Sequence, residues 1–156
     1  MKDLTLRLVR IALIAALYAA ITVVWPLSYD VIQFRLSEAL IALVIWRETE
    51  QDTVPGMTLG TLLGNILSPY GILDMILGTI ATFVGAMAAW YLRKKHPVIP
   101  LTAYILGVTP IVAALLSMYG VNFFFAFGTV FIGEATVVYA IGLPLAFRFK
   151  KLNENA

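Results

Sequence analysis

The chain has 156 residues, 61% apolar and only 13% charged, with a formal net charge of +2 and a mean hydropathy of +0.91. Soluble domains carry about 25% charged residues, so the composition points to a bilayer protein and the length to a single domain over residues 1–156. The absence of Cys excludes disulfides, zinc thiolates and a cysteine nucleophile, and the single His, His96 in "RKKHP", argues against a His-based metal cluster or a Ser-His triad; no metal and no cofactor is expected.

The N-terminal "MKDLTLRLVRIALIAALYAA" has the look of a signal peptide, but its apolar run continues to Trp25, and it reads as a retained first span. A helix crossing the hydrocarbon core takes roughly 20 apolar residues. Residues 8–25 fit, and Pro26 stops them because proline cannot continue the backbone ladder. A second span is expected at 36–46, short unless it is tilted or already wound from Val31. A third, also short, is expected at 54–67, between "RETEQD" and "SPYG". Residues 72–92 form a full-length fourth span ending in "RKKHPVIP". The fifth, 100–118, carries Pro110 in its middle, and the sixth, 123–147, carries "GLP" near its end; both prolines predict kinks. The expected fold class is an all-α integral membrane bundle of six transmembrane helices.

Lys and Arg near span ends set orientation. With six spans and both termini inside (N-in/C-in), ten of the eleven Lys and Arg fall on the cytoplasmic side, including the trios Arg93, Lys94, Lys95 and Arg148, Lys150, Lys151. A five-span count would put a basic cluster outside. The basic ends account for the high isoelectric point without a nucleic-acid partner. The eleventh cation is Arg35, in the outer stretch "YDVIQFRLSEAL".

The remaining polar groups gather on that outer side. The first outer loop brings Ser28, Tyr29, Asp30, Gln33, Arg35 and Glu38; the next brings Asn65, Ser68, Tyr70 and Asp74; the last brings Ser117, Tyr119 and Asn122. Glu134 lies eleven residues into the sixth span, where an ionised carboxylate costs about 2.5–3.5 kcal/mol on insertion scales, so it should face a polar cavity or a cation. Structural roles compete with a binding role. Arg35 and Glu38 are three residues apart and could pair on one helix face. Asp74 could serve the helix dipole, and Asn65 could bridge helices. Taken together, the polar set favours a pocket opening outward.

Small residues form two stripes. "PGMTLGTLLGN" puts Gly56, Gly60 and Gly64 on one helical face, read as close packing inside the bundle. "ALIAALYAA" gives two ridges, Ala12–Ala16–Ala20 and Ala15–Ala19. One could pack within the chain, and the pair would make a wider, flat surface suited to a second protein.

The ordered segments "ALYAA", "PLSYDVIQFRLSEAL", "PGMTLGTLLGNILSPYGILDMILGTIAT" and "GEATVVYAIGLPL" resemble the QueT family, substrate-binding S components of energy-coupling factor (ECF) transporters associated with queuosine precursors. The resemblance runs from about Ile11 to Leu145. It implies a plasma-membrane, multi-pass, six-helix bundle with both termini cytoplasmic and a pocket near the outer side. It also implies docking, through AxxxA surfaces of the first helix, onto a transmembrane scaffold subunit with two ATPases. Ala12–Ala16 and Ala15–Ala19 both satisfy that pattern. The chain itself carries no GxxxxGK[ST] loop, so it is not expected to hydrolyse ATP or to be an enzyme.

For a deazaguanine ligand the expected chemistry is specific. A carboxylate can accept two adjacent ring N–H groups together; Glu38 or Glu134 is assigned that role, with Asp74 next. Arg35 or an amide of Asn65 or Asn122 could donate to the ring oxygen, and Gln33 lies on the same wall. A second carboxylate would suit an ammonium substituent, and Tyr119, Tyr139 or Phe123 could stack on the ring. An S component for another vitamin or purine-like molecule is the alternative; a membrane enzyme using Glu134 and Asp74 ranks below it, lacking a nucleophile constellation.

Overall fold

The structure, a computed structural model, describes residues 2–29 and 34–155, and no strand occurs among them. Helix α1 runs from Lys2 to Val24; it ends before Trp25 because the residue preceding a proline is biased away from helical geometry. A 3-10 segment follows at Leu36–Ile45, then α2 at Thr53–Gly64, continued by one 3-10 turn at Asn65–Leu67. Helices α3 (Gly71–Leu92) and α4 (Val98–Met118) form a long hairpin. Helix α5 (Phe123–Val137), a π-helical turn (Val138–Gly142) and α6 (Leu143–Glu154) make one continuous rod. Pro144 enters at the first turn of α6, just after the π turn has already broken the regular ladder.

Four of these helices are long and apolar enough to cross a membrane: Leu4–Val24, Gly71–Leu92, Val98–Met118 and the rod Phe123–Glu154. The two short spans expected from the sequence are short in the structure as well. The start of the second from Val31 lies outside the described residues. Its described part is not α-helical: at about 2.0 Å per residue the ten-residue 3-10 segment reaches about 20 Å. Together α2 and its 3-10 turn reach about 24 Å, against a core of about 30 Å.

The 3-10 geometry suits the sequence of this segment. With three residues per turn, positions i and i+3 align along one edge. Glu38, Ile41 and Val44 form one such edge and Ala39, Ala42 and Ile45 another, all buried, while Leu40, Leu43 and Trp46 make the half-exposed third. The segment is therefore a strut running inside the bundle, in contact with α1 to α6 and the π turn. Around it, large apolar side chains such as Leu13, Leu17, Ile76, Phe124 and Ile132 point outward, as a lipid-facing perimeter requires.

Close approaches fix the helix pairs. A Cβ added at Gly56, Gly60 or Gly64 would lie 2.7 Å from Ile14, 2.6 Å from Tyr18 or 3.2 Å from Thr22. The α2 glycine stripe thus seats α1 directly, the internal packing expected of it. Helices α3 and α4 meet the same way, a Cβ on Gly107 falling 2.8 Å from Gly85 Cα. At one end of the bundle Arg7 pairs with Asp52 at 3.0 Å, Arg10 with Glu48 at 2.6 Å and Arg93 with Glu50 at 3.0 Å. These pairs tie α1 and α3 to the 46–52 connection. The start of α1 and the end of α6 share that end, since Asn153 bonds to Ile45 and Arg47.

Gly60→Ala should cost about 1–3 kcal/mol of stability through overpacking against Tyr18, read as earlier unfolding in detergent. Gly128→Ala, which meets nothing within 4 Å, should be neutral or stabilising by up to about 1 kcal/mol through helix propensity. Equal melting of the two variants would remove the close-approach account.

Candidate functional site

Five of the residues expected at the site come together inside the bundle. Glu38, on the 3-10 strut, and Asp74, in the first turn of α3, are both 0% exposed, and Asn65, Arg35 and Glu134 are also buried. The order of contact starts at Glu38. Its Oε1 accepts from the Tyr18 hydroxyl of α1 and its Oε2 from the Tyr104 hydroxyl of α4. One phenol per oxygen leaves about half of the carboxylate's lone pairs for another donor.

Arg35 stands just outside the helical strut, in extended conformation (φ −82°, ψ 99°). Its Nε donates to the Ser28 carbonyl at 2.8 Å, and its guanidinium lies 5.9 Å from the Tyr29 ring centre. The expected Arg35–Glu38 helical pair does not form, because the i,i+3 rule applies only where both residues are wound. Arg35 turns instead to Asp74, with Nη2 3.5 Å from Oδ2. Tyr29 braces this loop by donating to the Gly64 carbonyl at 2.5 Å. Burial pushes the Tyr29 phenol above its ordinary value, against an opposing pull from Arg35, so the hydroxyl stays a donor.

Asn65 Nδ2 donates to the Asp74 carbonyl at 3.0 Å, which is the helix-bridging role weighed for it. Asp74 itself makes no capping bond: neither carboxylate oxygen has a hydrogen-bond partner among the described residues. Gly78 makes room for both side chains: a Cβ there would lie 2.5 Å from Asn65 Nδ2 and 2.9 Å from Asp74 Oδ1. Glu134 on α5 lies near enough to Glu38 and Arg35 to interact with both electrostatically. Among the described residues, Arg35 Nη2, Asn65 Oδ1, both Asp74 oxygens and Glu134 Oε2 are buried without a hydrogen-bond partner, as are Trp25 Nε1 and Ser28 Oγ in the preceding loop. Native proteins leave few such atoms without a reason. Those of Arg35, Asn65, Asp74 and Glu134 gather around three carboxylates, with the Arg35 guanidinium as donor and several acceptors.

The other expected residues lie elsewhere. Gln33 is outside the described residues. Asn122 is exposed and caps α5, its Oδ1 accepting from Phe124 N at 3.0 Å and Phe125 N at 3.2 Å. Tyr119 is 45% exposed and donates to the Tyr70 carbonyl at 2.5 Å, their rings 5.1 Å apart. Tyr139 bonds to Thr102 at 2.7 Å, at the half-exposed π turn, and Phe123 packs against Phe124 and Phe127. The alanine ridges separate cleanly. Ala15 is buried at 4%, with its carbonyl 2.9 Å from a Cβ at Gly60, and Ala19 also faces α2, whereas Ala12, Ala16 and Ala20 are exposed.

Tyr18 and Tyr104 are absent from the expected set. Their signal was a tyrosine deep in an apolar span, whose hydroxyl needs a partner once buried.

A family model described as QueT transporter matches residues 8–151, nearly the whole chain. No curated protein and no solved structure matches.

Tyr18→Phe and Tyr104→Phe should each destabilise the protein by about 1–3 kcal/mol, by leaving a buried carboxylate oxygen short of its donor. The double variant should depart from additivity because both act on Glu38. Chemical unfolding of the three variants in detergent measures this; additive or negligible losses would remove Glu38 as the shared junction.

Proposed function

The chain belongs to the QueT transporter family, and from that premise we propose that it is the substrate-binding S component of an ECF-type importer, capturing a deazaguanine precursor of queuosine. In this reading the strut and α2 complete six membrane-crossing segments in the plasma membrane. The end bearing the Arg7–Asp52 and Arg93–Glu50 pairs faces the cytoplasm, following the positive-inside rule. The polar cluster then lies toward the outer side of the membrane.

The observation that carries the reading is the set of buried polar atoms around Glu38, Asp74 and Glu134 that have no hydrogen-bond partner among the described residues, Arg35 and Asp74 sharing only a 3.5 Å ion pair. Glu38 is held rigidly by two phenols yet keeps lone pairs to accept a planar pair of ring N–H groups. Arg35 Nη2 is the donor suited to the ring oxygen. Asn65 has one amide N–H engaged with Asp74 and its Oδ1 free of a hydrogen bond among the described residues, so it offers an acceptor. Asp74 and Glu134 remain for a cationic substituent. Such groups are preorganised, so binding needs little ordering.

The exposed ridge Ala12–Ala16–Ala20 is the docking face for the transmembrane scaffold, because the Ala15–Ala19 ridge is used against α2. Energy then comes from the two partner ATPases, and this chain carries no catalytic step.

Purified protein should bind a deazaguanine without ATP or partners, measured by calorimetry. Glu38→Gln should weaken binding about tenfold or more, the value of losing one charge-assisted hydrogen bond. Saturable binding of another vitamin-type ligand, with none of any deazaguanine, would keep the S-component role and overturn the substrate. Ala16→Trp should abolish uptake in cells expressing the coupling module while leaving ligand affinity unchanged. Uptake at the wild-type rate would overturn the docking assignment.

A further inference from the structure

Beyond substrate capture, we propose that the basic cleft at the chain-terminal end of the bundle binds the phosphate of an anionic phospholipid headgroup. The cleft has a volume of about 510 Å³ and is lined by five cations and two acids. One of the five, Arg93, is already engaged: it pairs with Glu50 at 3.0 Å, donates to the Trp90 carbonyl at 2.8 Å and lies 4.2 Å from the Trp90 ring centre. Arg47, Lys94, Lys95 and Lys150 have no ion-pair partner among the described residues. An excess of unpaired cations in one concavity is a site for a compact anion with several acceptor oxygens.

The walls are fixed. Asn153 near the end of α6 donates to the Ile45 carbonyl at 2.7 Å and accepts from Arg47 N at 3.1 Å, so α6 is pinned to the end of the strut. Depth identifies the source of the anion. The apolar helices stop at Leu92 and resume at Val98, leaving Lys94 and Lys95 at their rim. Aromatic rings neighbour the lining residues in sequence: Trp46, next to Arg47, stacks on Phe149, next to Lys150, at 5.3 Å, and His96, next to Lys95, meets Phe147 edge-on at 5.5 Å. Trp and aromatic belts mark the headgroup level of a bilayer, where basic pockets between helices take anionic lipid headgroups. The inference rests on the membrane embedding alone and not on the identity of the imported substrate.

The test uses the full chain purified in phosphatidylcholine nanodiscs, with phosphatidylglycerol titrated in and lipid retention read by native mass spectrometry. Phosphatidylglycerol should be retained preferentially. Lys94→Gln/Lys95→Gln should bind it about thirtyfold more weakly, at the usual value of a basic group near the membrane surface. Arg148→Gln/Lys151→Gln, which removes the same charge from a separate surface cleft, should behave as wild type. Each variant is compared with its own behaviour in phosphatidylcholine, so a change in folding does not mimic the effect. Retention unchanged in the Lys94/Lys95 variant, or lost equally in both variants, would overturn the site. Inorganic phosphate displacing the lipid at matched concentration would overturn the headgroup assignment in favour of a soluble anion.

Discussion

A carboxylate buried within a bundle surrounded by lipid is the constraint on which this structure turns. Removing a charge from water without partners is prohibitive, so Glu38 has to be reached by donors from other helices. Tyr18 of α1 and Tyr104 of α4 supply them, and the strut that carries Glu38 is thereby clamped between two helices distant in sequence. That clamp requires the helices to come close, and the glycines of α2, α3 and α4 permit it. The close packing and the polar site are one arrangement: Gly60 seats Tyr18, and Tyr18 holds Glu38.

The second consequence is an uneven division of polar satisfaction. Glu38 is well held, whereas Asp74 and Glu134 carry oxygens with no hydrogen-bond partner and Arg35 reaches Asp74 at only 3.5 Å. A protein built only for stability would have replaced such groups by apolar ones of similar volume, often at no loss. Their retention beside a rigid acceptor is what a binding site needs, and it agrees with membership of a transporter family.

Much of this was legible because polar residues stand out in an apolar chain. Arg35, Glu38, Asn65, Asp74 and Glu134 were all singled out by that contrast, and the glycine stripe of α2 by its spacing. What escaped had physical reasons. Tyr18 and Tyr104 are amphipathic and ordinary in membrane helices; only the alignment of Ile14, Tyr18 and Thr22 with the glycine stripe marks one of them as buried. Asn122 precedes an apolar run, the usual position of a helix N-cap, and its cap explains it without a ligand. The 3-10 geometry of the strut is not legible in the sequence, because a period of three and a period of 3.6 are nearly indistinguishable over ten apolar residues. Which alanine ridge faces outward depends on where α2 sits, and spacing alone leaves both open.

The most direct test of the central claim is a structure of the protein with a deazaguanine bound. The ring is expected among Glu38, Arg35, Asp74 and Glu134, with its adjacent N–H groups within about 3 Å of the Glu38 carboxylate and the Tyr18 and Tyr104 contacts kept. A ligand seated elsewhere, with Glu38 touched only by those two phenols, would contradict it.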